Sequence, residues 1–220
     1  MSRTALVAGA SGLVGGHLLQ LLLADDAYAR VVTLGRRPLA ARHPKLEQRV
    51  VDFATIDALS NLSHADDVFC CLGTTIKTAG SQQAFRKVDY DYVLGLARAG
   101  QRAGVRQFVL VSALGADSAS RIFYSRVKGE IEEAVRQLPY QGIQIFRPSF
   151  LMGERAAVRL AERVGVPLAR AVAPLLVGPL RRYRPVYAAD VARAMVRIAK
   201  EAPRGPNVFE YDGIIAAARS

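Results

Sequence analysis

Residues 4–16 read Thr-Ala-Leu-Val-Ala-Gly-Ala-Ser-Gly-Leu-Val-Gly-Gly, with glycines at Gly9, Gly12 and Gly15. The apolar start predicts a short buried strand, the glycines predict a tight turn, and the leucine-rich residues that follow predict a helix. In such a turn the first glycine lets the chain bend, the second lets backbone N–H groups approach a phosphate, and the third lets the helix pack closely on the sheet. Because a helix N-terminus offers unpaired N–H donors, the stretch favours a dinucleotide-binding fold over a plain strand-to-helix turn.

The rest of the chain continues the alternation of strands and helices. Further strands are predicted at residues 30–34, 48–51, 67–72, 107–112, 142–146 and 208–211, and helices at 55–62, 81–103, 121–138 and from about 188. Phe85, Val88 and Val93 are expected on the inner side of the long helix. The alternation indicates an α/β fold, a doubly wound Rossmann-like parallel sheet of about seven strands with helices on both faces. We expect one domain over residues 1–220, in which residues 155–190 form a small helical cover on the substrate side.

The composition narrows the classes of partner. Of the 220 residues, 51% are hydrophobic, enough for a substantial core. The 30 Lys and Arg residues outnumber the 19 Asp and Glu residues, which gives a net charge of +11. These cations are spread along the chain, with clusters only at Arg36-Arg37 and Arg181-Arg182-x-Arg184, and no RNA-binding or zinc-finger motif accompanies them. We therefore expect no nucleic-acid partner, and a basic chain also suits an anionic cofactor.

Targeting and membrane signals are not expected. The first predicted strand begins within three residues of Met1, which leaves no room for a secretory signal. The apolar stretch at 171–180 is short and is interrupted by Pro174 and Pro179, so we predict no membrane span. A cytoplasmic location is expected on these grounds.

Cysteine and histidine do not form a metal-binding pattern. Cys70 and Cys71 are adjacent at the end of an apolar run, which argues against a disulfide between them and favours a packing role. His17, His43 and His64 are scattered without ligand spacing. We predict no metal site.

The end of the second predicted strand, Gly35-Arg36-Arg37-Pro38, bears on cofactor choice. NAD-preferring folds place a carboxylate here for the adenosine ribose, whereas arginine suits the additional 2′-phosphate of NADP. Two arginines and no carboxylate favour NADPH over NADH. The alternative is a solvated loop in which the arginines bind nothing.

A tyrosine and a lysine carry the predicted chemistry. Tyr124 and Lys128 are four residues apart on a predicted helix, which places the phenol and the ammonium on one face. A neighbouring cation favours the phenolate, so we expect the pKa of the tyrosine to be lowered toward the operating pH, as a general acid or base requires. Ser112, at the carboxyl end of the fifth strand, is placed where open α/β sheets bind ligands and is predicted to hold a carbonyl oxygen. A tyrosine and lysine at this spacing also occur by accident on surface helices, and it is their position after Ser112 and the glycine turn that favours catalysis.

Several motifs together resemble one family. They are G-A-S-G-L-V-G at 9–15, C-C-L-G-T-T at 70–75, V-D-Y-D-Y-V at 88–93, Ser112 with G-A-D at 115–117, Y-x-x-x-K-G-E at 124–130 and F-R-P at 146–148. Over residues 4–155 the chain resembles the atypical short-chain dehydrogenases that include the Tat-interacting oxidoreductase. Asp89 stands where many members of the wider superfamily have an asparagine, and in this respect it is similar to the same branch.

The resemblance implies a set of cofactor contacts. The phosphates would lie at Ser11, Gly12, Leu13 and Val14, the 2′-phosphate at Arg36 and Arg37, the adenine at Asp52 and Phe53, the middle of the cofactor at Leu72, Gly73 and Thr74, and the nicotinamide end at Leu151. Tyr124 would be the proton donor. Lys128 would hold the nicotinamide ribose and acidify Tyr124.

Three functions remain open at this point. The leading hypothesis is an NADPH-dependent oxidoreductase that acts on a small-molecule carbonyl substrate. The second is a cofactor-sensing regulator that passes NADPH occupancy to a partner protein. The third is a nucleotide-sugar epimerase or dehydratase, suggested by Arg147-Pro148 and Asp190-Val191-Ala192. A homodimer through the helices at 81–103 and 121–138 is also left open.

Overall fold

Seven parallel strands form the main sheet in a computed structural model, which describes residues 2–58, 65–153 and 177–219. These strands are β1 (Arg3–Ala8), β2 (Tyr28–Gly35), β3 (Leu46–Val50), β4 (Asp67–Cys70), β5 (Gln107–Val111), β6 (Gly142–Phe146) and β9 (Gly205–Phe209). They lie in the order β3-β2-β1-β4-β5-β6-β9. Two short strands, β7 (Leu151–Met152) and β8 (Val186–Tyr187), pair in parallel as a separate sheet. The predicted Rossmann-like sheet of about seven strands is confirmed.

Helices cover both faces of this sheet. They are α1 (Leu13–Ala24), α2 (Ile76–Ala79), α3 (Gln82–Arg86), α4 (Tyr92–Arg102), α5 (Phe123–Arg136), α6 (Ala188–Glu201) and α7 (Tyr211–Arg219), with 3-10 turns at Phe53–Ala58 and Gly178–Tyr183. On one face, α1 and α6 bury Leu18 and Met195 against the sheet. On the other, α4 and α5 bury Leu96 and Ile131. Each face therefore has its own hydrophobic core.

The strand order creates a crevice between β1 and β4. From β1 the chain proceeds outward to β2 and β3, and it then crosses to β4 and proceeds the other way to β5 and β6. The connections that leave β1 and β4 diverge, so the carboxyl ends of these two strands are left open for a ligand. Gly9 and Cys71 meet at this point: a side chain on Gly9 would lie 2.4 Å from the carbonyl oxygen of Cys71.

The long helix expected at 81–103 is three segments. Between α3 and α4, residues Lys87–Asp91 form a π-helical turn. A π turn accommodates one residue more than an α turn and changes the face that each side chain presents. Val88, expected inside, is therefore only half-buried, whereas Asp89 is completely buried.

The C-terminal elements also differ from expectation. The last strand is Gly205–Phe209 and not 208–211, and α7 follows it, which the sequence did not indicate. Gly205 and Pro206 are typical of a loop, but β9 is the edge strand of the sheet, where a missing N–H donor is tolerated.

Two further predictions fall partly outside the described residues. The helix predicted at 55–62 is a 3-10 turn over Phe53–Ala58, and residues 59–64, which include His64, are not described. Most of the predicted cover at 155–190, namely residues 155–176, is not described by the structure either. Its described remainder holds the 3-10 turn at Gly178–Tyr183, β8 and the start of α6. The single domain with a helical cover stays a prediction.

Candidate active site

The glycine turn after β1 has no room for side chains at Gly9 and Gly15. Gly9 has φ of +84° and faces the Cys71 carbonyl, and a side chain on Gly15 would lie 2.2 Å from the Gly9 carbonyl oxygen. Gly12 is the N-cap residue of α1 and donates its N–H to the Gly9 carbonyl at 2.8 Å. Ser11 beside it is exposed. The turn is thus a backbone cradle at a helix N-terminus, which suits a pyrophosphate.

The two-stranded sheet of β7 and β8 lies beside the glycine turn. Leu13 is half-buried and Val14 is buried. A side chain on Gly153 would lie 2.9 Å from a methyl carbon of Leu13. Leu151, predicted to lie near the nicotinamide, is two residues before Gly153 in β7. The short sheet β7–β8 therefore adjoins the glycine turn.

The residues predicted for the adenosine half follow β2 and β3. Arg36 and Arg37 are exposed, and within residues 2–58, 65–153 and 177–219 no carboxylate lies within ion-pair distance of either guanidinium. Asp52 is exposed and accepts the N–H of Ala54 at 2.9 Å. Phe53 is buried and stacks on Tyr92, with 5.8 Å between ring centroids. Two cations are thus available beside the end of β2.

Asp89 joins the loop after β4 to the helix that carries the predicted catalytic pair. One of its carboxylate oxygens accepts the N–H of Thr74 at 2.9 Å, and the other lies 2.8 Å from the Lys128 ammonium. Gly73 lies against this buried pair, since a side chain on it would lie 3.4 Å from Asp89 and 3.8 Å from Lys128. Leu72 before it is half-buried.

Lys128 is a buried cation. Burial disfavours the charged ammonium, but the adjacent Asp89 carboxylate outweighs this effect, and the pKa of Lys128 is raised above its usual value. The phenol of Tyr124 contributes to the same rise. Lys128 therefore stays protonated at neutral pH and places a fixed positive charge beside Tyr124.

Tyr124 lines a cavity of about 540 Å³. Its ring packs against Phe85 of α3 at a centroid distance of 5.4 Å, which fixes the side chain. The other walls are formed by residues that follow β5, β6 and β9 and by the turn before β8, namely Ala113, Leu114, Gly115, Arg147, Pro148, Ser149, Phe150, Arg182, Tyr183 and Glu210. Tyr124 thus lies beside a cavity large enough for a small molecule, whereas Lys128, one turn further along α5, is buried and does not line it.

Ser112 does not line this cavity. It is buried, and its hydroxyl donates to Glu132 of α5 at 2.6 Å. The next residue, Ala113, lines the cavity in its place. The predicted contact between Ser112 and a carbonyl oxygen therefore has no support in this arrangement, because the hydroxyl is engaged inside the protein.

Glu132 is a site residue that sequence reasoning missed. It is completely buried and accepts hydrogen bonds from Arg147 at 2.6 and 2.9 Å and from Arg136 at 3.1 Å, besides that of Ser112. The hydrogen bond to Glu132 raises the pKa of Arg147, whose guanidinium reaches the cavity. A signal was available, since Glu132 follows Lys128 by four residues and lies next to the apolar stripe of α5.

Gly129 was also missed, although it belongs to the Y-x-x-x-K-G-E motif. A side chain at this position would lie 2.1 Å from the Ser118 nitrogen. The loop after β5 can therefore lie directly on α5, where Asp117 donates its N–H to the Ser125 carbonyl at 3.0 Å. The glycine allows the loop that carries Ala113 and the helix that carries Tyr124 to form one wall.

The fold and the glycine cradle define the class, an NAD(P)-binding protein of the Rossmann type. A family profile described as "NAD(P)H-binding" matches residues 9–144, and the chain belongs to that family. Protein HTATIP2 of Rattus norvegicus is 37% identical over 165 residues, which cover 73% of this chain and 68% of that protein. The mitochondrial protein FMP52 of Coccidioides immitis is 34% identical over 221 residues, covering 93% and 88%. Within the class, the chain is a member of the atypical short-chain dehydrogenase/reductase family that includes these relatives.

Solved structures show the same fold at low identity. MoeE5 in complex with UDP-glucose and NAD matches with a TM-score of 0.69 and 18% identity, over 98% of this chain and 81% of that one. A UDP-N-acetylglucosamine 4-epimerase from Methanobrevibacter ruminantium matches with a TM-score of 0.70 and 14% identity, over 95% and 76%. At these identities the likeness establishes the fold and no activity.

Two observations bear on the location of the protein in the cell. No helix in the described part of the chain is long and apolar enough to cross a membrane. Protein fmp52 of Emericella nidulans, 37% identical over 171 residues, carries "mitochondrial" in its name. The cytoplasmic location therefore stays a prediction.

Proposed function

We propose that the protein is an NADPH-dependent reductase of carbonyl compounds. The observation that carries the proposal is the position of Tyr124, whose side chain lines the 540 Å³ cavity while the Asp89–Lys128 ion pair lies beside the crevice between β1 and β4. A proton donor, a fixed cation and a substrate-sized space thus lie at the edge of the sheet where dinucleotides bind.

The residues present fit a nicotinamide dinucleotide. Gly9 and Gly15 let the turn pack tightly on neighbouring backbone, since side chains there would lie 2.4 and 2.2 Å from backbone oxygens. The turn leads into the N-terminus of α1, whose backbone N–H groups favour a pyrophosphate. Arg36 and Arg37 would hold the 2′-phosphate, which is the support for NADPH over NADH. When bound, the cofactor supplies the hydride that the carbonyl carbon accepts.

The chain's own residues supply the proton. As the carbonyl carbon is reduced, its oxygen gains negative charge, and the phenol of Tyr124 donates a proton to it. Lys128 stabilises the phenolate that remains, because it carries a positive charge in a buried position. Asp89 holds Lys128 in place and ties it to the loop at Thr74. Ser112 is given no contact with the substrate in this proposal, because its hydroxyl donates to Glu132.

The experiment is turnover of NADPH with a panel of aldehydes and ketones by the wild-type protein and by Tyr124→Phe. We expect a loss of about 10²–10⁴-fold in kcat, the usual contribution of general acid catalysis, with NADPH affinity retained. Tyr90→Phe is the control, since the Tyr90 ring lies against Arg86 at 4.4 Å and outside the cavity. Full activity of Tyr124→Phe would contradict the mechanism. NADPH binding without turnover of any carbonyl would favour the cofactor-sensing regulator.

A nucleotide-sugar epimerase or dehydratase is the second candidate. It is supported by the NAD- and UDP-sugar-bound structures that share the fold, and by Arg147 and Arg182 at the cavity. Thermal unfolding of the NADP⁺-loaded protein with UDP-glucose tests it. A rise in Tm would favour this candidate, and an unchanged Tm would remove it for that sugar.

A further inference from the structure

The cavity beside Tyr124 carries an uneven distribution of charge. Three charged side chains line it, Arg147, Arg182 and Glu210. The charge of Arg147 is balanced by carboxylates, because Arg147 donates to the buried Glu132 at 2.6 and 2.9 Å and lies 3.8 Å from Glu210. Glu210 therefore has Arg147 as its ion-pair partner. Arg182 is the remaining charge of the lining.

Arg182 is held over the cavity without a carboxylate partner among the described residues. Its guanidinium lies 5.5 Å from the centroid of the Tyr183 ring and is exposed. The neighbouring Arg181 is instead paired with Asp212 of α7 at 2.8 Å. That pair anchors the 3-10 turn, and the hydroxyl of Ser149 donates to the Arg184 carbonyl at its end. The turn is therefore fastened on both sides, while Arg182 keeps its donors available.

A guanidinium with available donors selects for anions. It presents a planar fork that matches a carboxylate or phosphate in two parallel hydrogen bonds, and these charge-assisted bonds are among the strongest in proteins. The aromatic rings of Tyr183 and Phe150 line the same cavity and provide apolar surface for the body of a ligand. The lining thus combines a proton donor, an apolar wall and one anion-binding group.

We propose that the substrate is a carbonyl compound that also carries a carboxylate or phosphate group, which Arg182 binds while Tyr124 faces the carbonyl. This inference rests on the proposed reductase and adds the class of its substrate. It assigns Arg182 as the residue that determines specificity for charged over neutral carbonyls.

The test uses binding to the protein saturated with NADP⁺, so that the cofactor's own anion sites are filled. The probes are 4-(hydroxymethyl)benzoate, phenyl phosphate and the neutral methyl 4-(hydroxymethyl)benzoate, measured by isothermal titration calorimetry. Of 4-(hydroxymethyl)benzoate and phenyl phosphate, we expect the one with the lower Kd to bind at least tenfold more tightly than the ester. Arg182→Gln should abolish this preference without changing the affinity for the ester, and Arg182→Lys should keep part of it. Arg193→Gln, which removes the same charge from the exposed side of α6, should behave like the wild type.

The outcomes separate the inference from the reductase proposal. Equal affinity for anions and ester, no binding of either anion, or an unchanged preference in Arg182→Gln would overturn the inference. Preference for the benzoate or for phenyl phosphate decides which anion the substrate carries. Turnover is then compared for 4-carboxybenzaldehyde and methyl 4-formylbenzoate. Reduction of both aldehydes at equal kcat/KM would overturn the inference and leave the reductase intact. Anion binding that depends on Arg182 without reduction of either aldehyde would contradict the reductase and support only the assignment of Arg182 as the anion-binding residue.

Discussion

Lys128 and Asp89 form a buried ion pair in which 2.8 Å separates the ammonium nitrogen from a carboxylate oxygen. Asp89→Asn would leave the lysine charge buried without a counter-charge, and we expect the free energy of unfolding to fall by about 3 kcal/mol, as is usual when one partner of such a pair is removed. Urea denaturation measures the change. Asp91→Asn, an exposed carboxylate in the same π turn, should stay within about 0.5 kcal/mol of the wild type. Equal stabilities of the two variants would mean that the ion pair contributes nothing.

Ser112→Ala separates two roles for this hydroxyl. Because it donates to the buried Glu132 at 2.6 Å, its loss should lower the free energy of unfolding by about 2 kcal/mol, the range for hydrogen bonds to charged groups. Turnover should change by no more than about threefold, well short of the loss that removal of a catalytic group produces. Ser118→Ala is the control, since its hydroxyl donates to Glu133 at the surface. A hundredfold loss of kcat at unchanged stability would instead restore Ser112 as a catalytic residue.

Arg36→Ala tests the cofactor preference. Loss of a charge-assisted contact with the 2′-phosphate should weaken NADPH binding by about 1–3 kcal/mol and leave NADH binding unchanged. A fluorescence titration with both nucleotides measures the two affinities. Arg30→Ala, which removes an equal charge from β2 where Arg30 pairs with Glu47, should leave both nucleotides unaffected. If Arg36→Ala weakens the two nucleotides equally, the 2′-phosphate assignment is wrong.

Gly9→Ala should affect both fold and cofactor. Gly9 has φ of +84°, and a side chain there would lie 2.4 Å from a backbone oxygen. We therefore expect the free energy of unfolding to fall by about 3 kcal/mol, of which about 1 kcal/mol comes from the left-handed backbone. Gly80→Ala is a matched control, since its φ is +87° and nothing lies within 4 Å. Its free energy of unfolding should fall only by the contribution of the left-handed backbone, about 1 kcal/mol. Differential scanning calorimetry and NADPH titration compare the variants, and equal losses would exclude a steric role for Gly9.

The ionisation of Asp66 should make the stability of the protein depend on pH. Burial raises its pKa, but hydrogen bonds from the Thr4 N–H at 2.8 Å and from Arg106 outweigh this effect, and the folded-state pKa lies below the ordinary 3.8. The carboxylate therefore contributes stability that is present above pH 3.8 and is lost as the pH falls through the folded-state value. Asp66→Asn should cost about 1 kcal/mol at pH 6 and less at pH 3. Urea denaturation at both values checks it, and a cost that does not shrink at pH 3 would contradict the shift.

Much of the fold followed from local pattern. The glycine turn, the apolar strands and the Tyr124-x-x-x-Lys128 spacing depend on residues close in sequence, and the structure has the turn directly after β1 and the Tyr124–Lys128 pair on α5. The edge strand β9 was misplaced because Gly205 and Pro206 are tolerated only on account of its position in the sheet, which no local pattern reveals.

The site was harder to predict than the fold, because its contacts join distant segments. Glu132 meets Ser112 and Arg147 across twenty and fifteen residues, and Arg182 reaches the cavity from a turn that the sequence did not indicate. Ser112 was assigned from its place at the end of β5, but the direction of a side chain at the end of a strand depends on what packs beneath it. Here that neighbour is Glu132, a buried carboxylate on α5 whose pairing with Ser112 across twenty residues no local pattern reveals.

The π turn at Lys87–Asp91 amounts to an insertion of one residue into an otherwise regular helix. Deletion of a single residue such as Val88 would restore α-helical winding. It would also rotate α3, which precedes the deletion, by about 100° relative to α4. The hydrophobic face of α4 would survive, and so would the strand order. Phe85 precedes the deletion, so the ring that packs against Tyr124 would be turned away from it. In a chain with this fold, the length of that turn therefore distinguishes a helix that only covers the sheet from one that also positions a side chain against Tyr124.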